Sequence, residues 1–434
     1  MRTLSLLVLF LFQDLLLCQI ESIWERQYDN SGNADIGWAI AEAPDKGFVI
    51  VGASGPSKIL GTRNNYQGLV IKTDSEGNVV KMKTFGGNGQ DLLSSVVCNG
   101  TYFIAAGSKI EPPYKRQGWI IKFDSDLNLL WEKTFGGKQD DSFSQIINAG
   151  DKNFFLIGET KSYGKKDGRS DVYLVQIDDS GNLKWQQTYD LGSSDIGTSI
   201  AQLKDGKYII TAVSSTKNPG TLLQEGFCSY IVINQDGTIV KQRKFMEGKK
   251  NKLLKVKAIS DGGAILVGTT SMLDKFPSED TWIVRLNENC DVLWSKIIPS
   301  QGRYDGAFDV VEMDSVFIVV GYSQVHQSEQ MNFDNFAVNV VDKNGNVLDH
   351  KEWGFQDNDD LYGIIRLGFD TVVIVGFKNA VSWPLTKIPG NSDIYLIKMK
   401  YNILARRQYN EALKIYTDSF FCFSCRKRLF SIRQ

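Results

Sequence analysis

Apolar residues in this chain come in short runs, alternating or fully apolar, and each run is closed by Gly, Asn or Asp. That pattern predicts brief β-strands joined by tight turns, and no stretch between residues 23 and 400 carries the period of a helix. One unit shows the plan. It opens at Asp141, runs SFSQIINAG, turns at Asp151-Lys152-Asn153 and continues FFLIGET. After a polar stretch it resumes as DVYLVQI, turns through DDSGN and ends LKWQQTY. Each unit therefore holds four strands.

The unit repeats. The glycine closing the second strand recurs at Gly52, Gly107, Gly158, Gly268, Gly321 and Gly376, with Ala212 in the missing slot and a mean spacing of 54 residues. The third strand recurs at 68–74, 118–124, 171–178, 229–234, 281–287, 336–342 and 393–399. Seven such units predict an all-β fold, a seven-bladed β-propeller of four-stranded blades. Fourth strands number eight, because IWERQY (23–28) precedes the first full unit and matches WEKTF (131–135) and WQQTY (185–189). Strand 23–28 is thus expected to complete the last blade, which removes the open edges of a linear array. Segment 403–409 is then surplus. The domain plan is a signal peptide over 1–22, the propeller over 23–409 and a basic tail over 410–434.

The consensus F-G-G-x-x-x-D, D-G-G-x-x-x-x-G and D-x-Y-L-x-K-x-D-x-x-G-N-x-x-W resembles the bacterial-type seven-bladed propeller repeats of extracellular proteins. The resemblance covers 23–409 and implies the fold and an extracellular location, with no activity attached. The turn at Asp178-Asp179-Ser180-Gly181 is also similar to the quinoprotein repeat, whose Asp and Gly stand one residue further apart. The sialidase Asp-box is similar too, but Gly181 to Trp185 is one step longer than its Gly-to-Trp spacing. Both likenesses read as shared turn physics.

Composition supports a folded chain: 434 residues, 42% hydrophobic, with 40 Gly for turns and only 9 Pro. The net charge of −1 leaves no electrostatic case for nucleic acid. Arg2 followed by the apolar run Leu4 to Phe12 predicts an export signal, too short to span a bilayer. Cleavage is expected near Cys18; a lipoprotein anchored at Cys18 is the alternative. Cys98, Cys228, Cys290 and the pair Cys422/Cys425 form no disulfide framework. The tail mixes aromatic and basic residues, with a short helix over 411–421, and is the one segment suited to a membrane or partner contact.

Two histidines, His326 and His350, exclude histidine metal clusters, and no nucleophile elbow, P-loop or zincin motif is present. The turns at Asp74, Asp178 and Asp342 lack the acid that a calcium loop needs at its twelfth position, where Phe85 and Tyr189 stand instead. Asp35, Asp91, Asp141, Asp195, Asp305 and Asp360 open the first strand in six blades, with Lys252 and Leu253 at that place in the fifth. They are expected at one mouth of the channel, capping the preceding loop or forming a cation-attracting rim. The second-to-third loops are long and dissimilar, which marks their face for binding. Arg63, Tyr66, Tyr114, Lys115, Arg116, Tyr163, His326 and Trp383 are its candidate contacts. The sequon at Asn99 falls on the opposite, short-turn face. The expectation is a monomeric, secreted or cell-surface, non-enzymatic propeller binding a protein or glycan, without metal or cofactor. The alternatives are a hydrolase or lyase using carboxylates at the channel mouth, and a structural extracellular component.

Overall fold

The computed structural model describes residues 19–56, 65–110, 115–164, 168–216, 225–245, 250–271, 279–299, 304–328, 331–355, 358–380 and 392–402. The expected leader 1–18, the segment 403–409, the tail with Cys422 and Cys425, and Arg63, Tyr114 and Trp383 lie outside them. The described residues form seven antiparallel four-stranded blades and no helix. In blade one the strands are Ala34–Glu42, Phe48–Gly55, Gln67–Thr73 and Val79–Phe85, and they pair in that order. The first strand of each blade contacts the first strand of the next, and Asn358–Arg366 of blade seven contacts Ala34–Glu42 of blade one, so the ring closes around its inner strands.

Strand Gln19–Tyr28 completes blade seven by pairing antiparallel with Asp393–Asn402, Tyr28 opposite Ile394 and Gln19 opposite Asn402. The expected closure holds, but the strand begins four residues before residue 23. Ile20 is buried, and its N–H donates to Asp349 Oδ2 at 3.2 Å. Residues 19–22, placed in the leader by the sequence, are here part of the fold.

Burial explains the strand sequences. Second and third strands lie inside the blade stack and are covered on both faces; Phe48–Gly55 is buried at every position. Such strands read as unbroken apolar runs. Outer strands alternate, leaving Val80, Leu130, Val240 and Leu293 exposed. The core lies between blades: Ile104 and Ile120 of blade two pack with Phe143, Phe154 and Tyr173 of blade three.

Each first strand carries a β-bulge opposite the residue that closes the second, a glycine in six blades, as between Leu93 and Ser95 facing Gly107. The first strand of blade seven has a second irregularity between Asn358 and Asp360. A methyl on Gly52, Gly107, Gly158, Gly268, Gly321 or Gly376 would sit within 2.0 Å of the bulged strand's carbonyl oxygen. Only a missing Cβ permits that approach. Blade four has Ala212 there, opposite Gly197.

Three stitches join neighbouring blades. At the hub, the residue after the bulge reaches across: Ser95 Oγ accepts from Ile146 N (3.2 Å), Gln145 Oε1 from Ile200 N (2.8 Å) and Asp309 Oδ2 from Ile364 N (3.3 Å). At the mouth, the first-strand acid donates its N–H to the carbonyl leading into the preceding blade's third strand: Asp35 to Ser392, Asp91 to Tyr66, Asp195 to Ser170 and Asp305 to Glu279. At the periphery, an outer-strand tryptophan covers the turn glycine of the next blade. Methyls on Gly77, Gly181, Gly237 and Gly345 would lie 2.8, 2.9, 3.1 and 3.2 Å from the rings of Trp24, Trp131, Trp185 and Trp294.

Gly181 has φ +73° and Gly150 has φ +78°, but nothing lies within 4 Å of a methyl on Gly150. Gly150→Ala should therefore cost only the left-handed backbone, about 1 kcal/mol, whereas Gly181→Ala should cost roughly 1–2 kcal/mol more. Urea unfolding of both variants with and without Trp131→Ala checks this. The excess at Gly181 should vanish once the ring is gone.

Candidate functional site

The six first-strand acids are all buried. Four of their carboxylates close the loop that enters the blade, while Asp305 Oδ1 accepts from Gln324 N at 3.2 Å. Asp35 Oδ2 accepts from Asn30 N at 2.6 Å, Asp91 Oδ2 from Gly87 N at 2.6 Å, Asp141 Oδ2 from Gly137 N at 2.8 Å and Asp195 Oδ2 from Leu191 N at 2.7 Å. They brace the mouth without presenting charge to solvent.

Two positions differ from the sequence reading. In blade seven the register pairs Leu361 with Gly376, so the equivalent acid is Asp359, whose Oδ2 accepts from Phe355 N at 2.6 Å. Asp360 stands one residue further on and makes no such cap. In blade five the equivalent is Asn251, not Lys252 or Leu253; it is buried, and its Oδ1 accepts from Thr270 Oγ1 at 2.8 Å. An asparagine keeps the acceptor and drops the charge. Both were readable: six residues beyond the last aromatic of the outer strand lead from Phe85 to Asp91, from Phe245 to Asn251 and from Trp353 to Asp359.

The long-loop candidates separate. Tyr66 is 7% exposed and packs with Ala34, Ile36, Ala53 and Phe377, so it belongs to the core. Lys115 is exposed and donates to Gln139 Oε1 at 3.0 Å; Arg116 donates its N–H to Asp140 Oδ1 at 3.2 Å. Tyr163 is exposed and donates its hydroxyl to the Gly136 carbonyl, with its ring 5.6 Å from Tyr173. The loop expected over 322–334 is a hairpin instead, with Val316–Ser328 paired to Met331–Asp342. Its β-branched and aromatic residues continue the ladder, and His326 pairs there with Asn332 in strand backbone. Asn99 is half-buried in a short turn, and its Nδ2 donates to the Tyr102 hydroxyl. The D-x-x-G-N turns are closed by their own aspartates: Asp74 Oδ1 accepts from Glu76 N and Asn78 N at 2.9 and 2.8 Å.

A group the sequence reading missed sits at the hub. The bulged residues of the first strands are Ser94, Ser144, Thr198 and Leu254 in blades two to five, but Phe308, Tyr362 and Trp38 in blades six, seven and one. These three rings are half-buried. Phe308 and Tyr362 stand 4.5 Å apart, Phe308 and Tyr322 5.4 Å, and Tyr362 and Phe377 5.7 Å. Asp360 lies under the group, accepting the Tyr362 hydroxyl at 3.2 Å through Oδ2, while its buried Oδ1 has no partner. Burial first, and the nearby Asp334 second, push the Asp360 carboxyl well above the usual range. The clue in the sequence was the aromatic at the bulge position of three consecutive blades.

Asp305 is pushed up to about 6, chiefly by burial, with Glu352 and Asp280 adding to it and Ser323 and Gln324 opposing. An unfolded aspartate titrates near pH 4 (about 3.9), so between about pH 4 and 6 the folded chain holds a proton that the unfolded chain has released. That contribution favours folding at low pH and is lost as the pH rises through about 6. Asp305→Asn removes it. The stability of the unmodified chain relative to the variant should fall by about 2 kcal/mol between about pH 4.5 and 7, read by thermal or urea unfolding. Parallel curves would show that Asp305 titrates normally.

No protein-family model and no curated protein matches this chain. Solved structures do. A protein of unknown function from Dyadobacter fermentans is similar with a TM-score of 0.49 at 10% identity, covering 88% of this chain and 99% of that one. The α-L-arabinofuranosidase Arb93A from Fusarium graminearum is similar with a TM-score of 0.46 at 9% identity, covering 88% and 98%. The β-propeller domain of the Trilobed protease from Pyrococcus furiosus, described as having an open velcro topology, gives 0.43 at 11% identity, covering 87% and 94%. Likeness at these identities concerns the fold alone and does not extend to activity.

Proposed function

We propose that this propeller is an exported, non-enzymatic binding module that takes a glycan or an extended protein segment at the long-loop mouth of its hub. The observation that carries this reading is the arc of half-buried rings Trp38, Phe308 and Tyr362 on three adjacent blades, where the other four carry Ser, Ser, Thr and Leu. Aromatic faces with one convergent polar group are what a ligand site on a rigid scaffold uses. Export rests on Arg2 and the run Leu4 to Phe12. Because Gln19–Tyr28 builds blade seven, cleavage falls at or before Gln19.

A second reading has its own observation. Burial first, then the neighbouring Glu279, Asp360, Asp334 and Asp305, raise the Tyr322 hydroxyl, and Asp360 accepts from the Tyr362 hydroxyl, so a hydrolase or lyase would find its carboxyl in this group.

Glycan and peptide arrays probed with the secreted chain separate the two. Trp38→Ala and Tyr362→Ala should each weaken binding about ten-fold or more, as central aromatic contacts do, while the exposed Tyr163→Ala leaves it unchanged. A bound set indifferent to both hub variants would overturn the site. Turnover of a bound ligand, abolished by Asp360→Asn, would replace the binding reading with the enzymatic one. N-terminal sequencing of the secreted chain should give a start at or before residue 19.

A further inference from the structure

Two of the seven blade junctions carry the same three acids. At the junction of blades seven and one these are Asp393, opening a third strand; Asp29, just after the outer strand ending at Tyr28; and Asp35, on the next first strand. At the junction of blades three and four they are Asp171, Asp190 after Tyr189, and Asp195, in the same three places. Within each trio, carboxylate oxygens lie within 4.8 Å of one another. The surroundings repeat as well. Asp35 N donates to Ser392 O and Asp195 N to Ser170 O, both at 2.7 Å. Gly32 N donates to Asp29 Oδ1 and Gly192 N to Asp190 Oδ1, at 2.7 and 2.8 Å.

At the junction of blades five and six the third-strand acid is kept as Asp280, but Pro299 follows the outer strand. At three other junctions the pattern is broken in one consistent way. The third-strand position is Gln67, Gln117 or Asn335, and the position after the outer strand is Gly86, Gly136 or Gly354. There an amide and a glycine replace two carboxylates. The first-strand acid then satisfies both oxygens: Asp91 Oδ1 accepts from Ile110 N at 3.0 Å, and Asp141 Oδ1 from Thr160 Oγ1. In the two three-acid junctions it does not. Asp35 and Asp195 are 0% exposed, Oδ2 of each is taken by the loop, and Oδ1 of each is buried with no hydrogen-bond partner. Each of these two buried acids keeps two further carboxylates within 4.8 Å, the opposite of what repulsion favours.

We propose that each trio binds a hard divalent cation, calcium foremost, which clamps the blade junction; the first clamp lies at the seam where Gln19–Tyr28 closes the ring. An all-oxygen, carboxylate-only donor set selects calcium or magnesium over softer metals, and ligands from three separate segments suit the looser sphere of calcium. The cation supplies the missing partner of Oδ1 and ties an outer-strand end, a third-strand start and the next first strand together.

The test is the calcium stoichiometry of the full secreted chain, stripped with EDTA and measured by equilibrium dialysis against calcium and against magnesium. The proposal expects two calcium ions per chain, one in Asp29→Asn, one in Asp190→Asn and none in the double variant. Both residues are exposed, so the caps of Asp35 and Asp195 survive. Asp91→Asn, at a cap position without the trio, should still bind two. Thermal unfolding gives a second readout. In EDTA the double variant should melt a few degrees above the parent, because a repelling charge is gone, and it should lose the rise that calcium gives the parent. No bound calcium at millimolar concentration, or a calcium-dependent rise that persists in the double variant, overturns the proposal.

Discussion

The close approach of a second-strand glycine to the bulged carbonyl of the first strand is the constraint on which this ring depends. At Gly52 the Cβ position is 1.7 Å from Ile36 O, and at Gly376 it is 1.9 Å from Asp360 O. A bulge inserts one residue, so the side chains on either side of it change partners. The residue after the bulge turns across to the next blade, which makes Ser95, Gln145 and Asp309 the acceptors at the hub. The bulged residue turns into the hub itself, which places Trp38, Phe308 and Tyr362. Upstream of the bulge, the same register puts the first-strand acid where its N–H meets the preceding blade and its carboxylate closes the entering loop. One backbone device therefore sets the blade contacts and the positions open to function.

That device is also why so much of the fold was legible. A glycine recurring at this place in six of the seven blades writes the period into the sequence, and strands covered on both faces write themselves as apolar runs. Blade count, strand order and the closing strand all followed from those two marks. The errors arose where local spacing misled. Asp360 ends an acidic doublet, but the outer-strand aromatic Trp353 sets the count to Asp359. Tyr66 lies at the end of the long stretch 53–67, but its ring packs beside Ala53 and Phe377. The hairpin of Val316–Ser328 was read as ending early because its distal half is polar, yet its backbone pairing continues to Ser328.

The acids of the two junctions were not legible for a different reason. Asp29 and Asp393 are separated by almost the whole chain, and only the closure of Gln19–Tyr28 onto Asp393–Asn402 makes them neighbours. Asp171, Asp190 and Asp195 lie close in sequence, but their convergence depends on which strand ends meet at a junction. Spacing rules detect ligands carried on one turn or one helix; they do not detect ligands that a ring brings together.

The departures from the repeat gather at the seam. Blades seven and one contribute two of the three hub rings, Tyr362 and Trp38, and one of the two acid trios. On the strand Ala34–Glu42, Asp35 stands two residues before Gly37 and Trp38 is the bulged residue that follows it. The loop cap on Asp35 and its N–H to Ser392 fix where that strand enters, and the bulge then fixes where Trp38 points. Asp35 and Trp38 thus share one short stretch of inner strand, and the N–H of Asp35 is bonded to the blade that closes the ring. The geometry of the mouth is coupled to the closure of the seam because both are read off the same four residues of one inner strand.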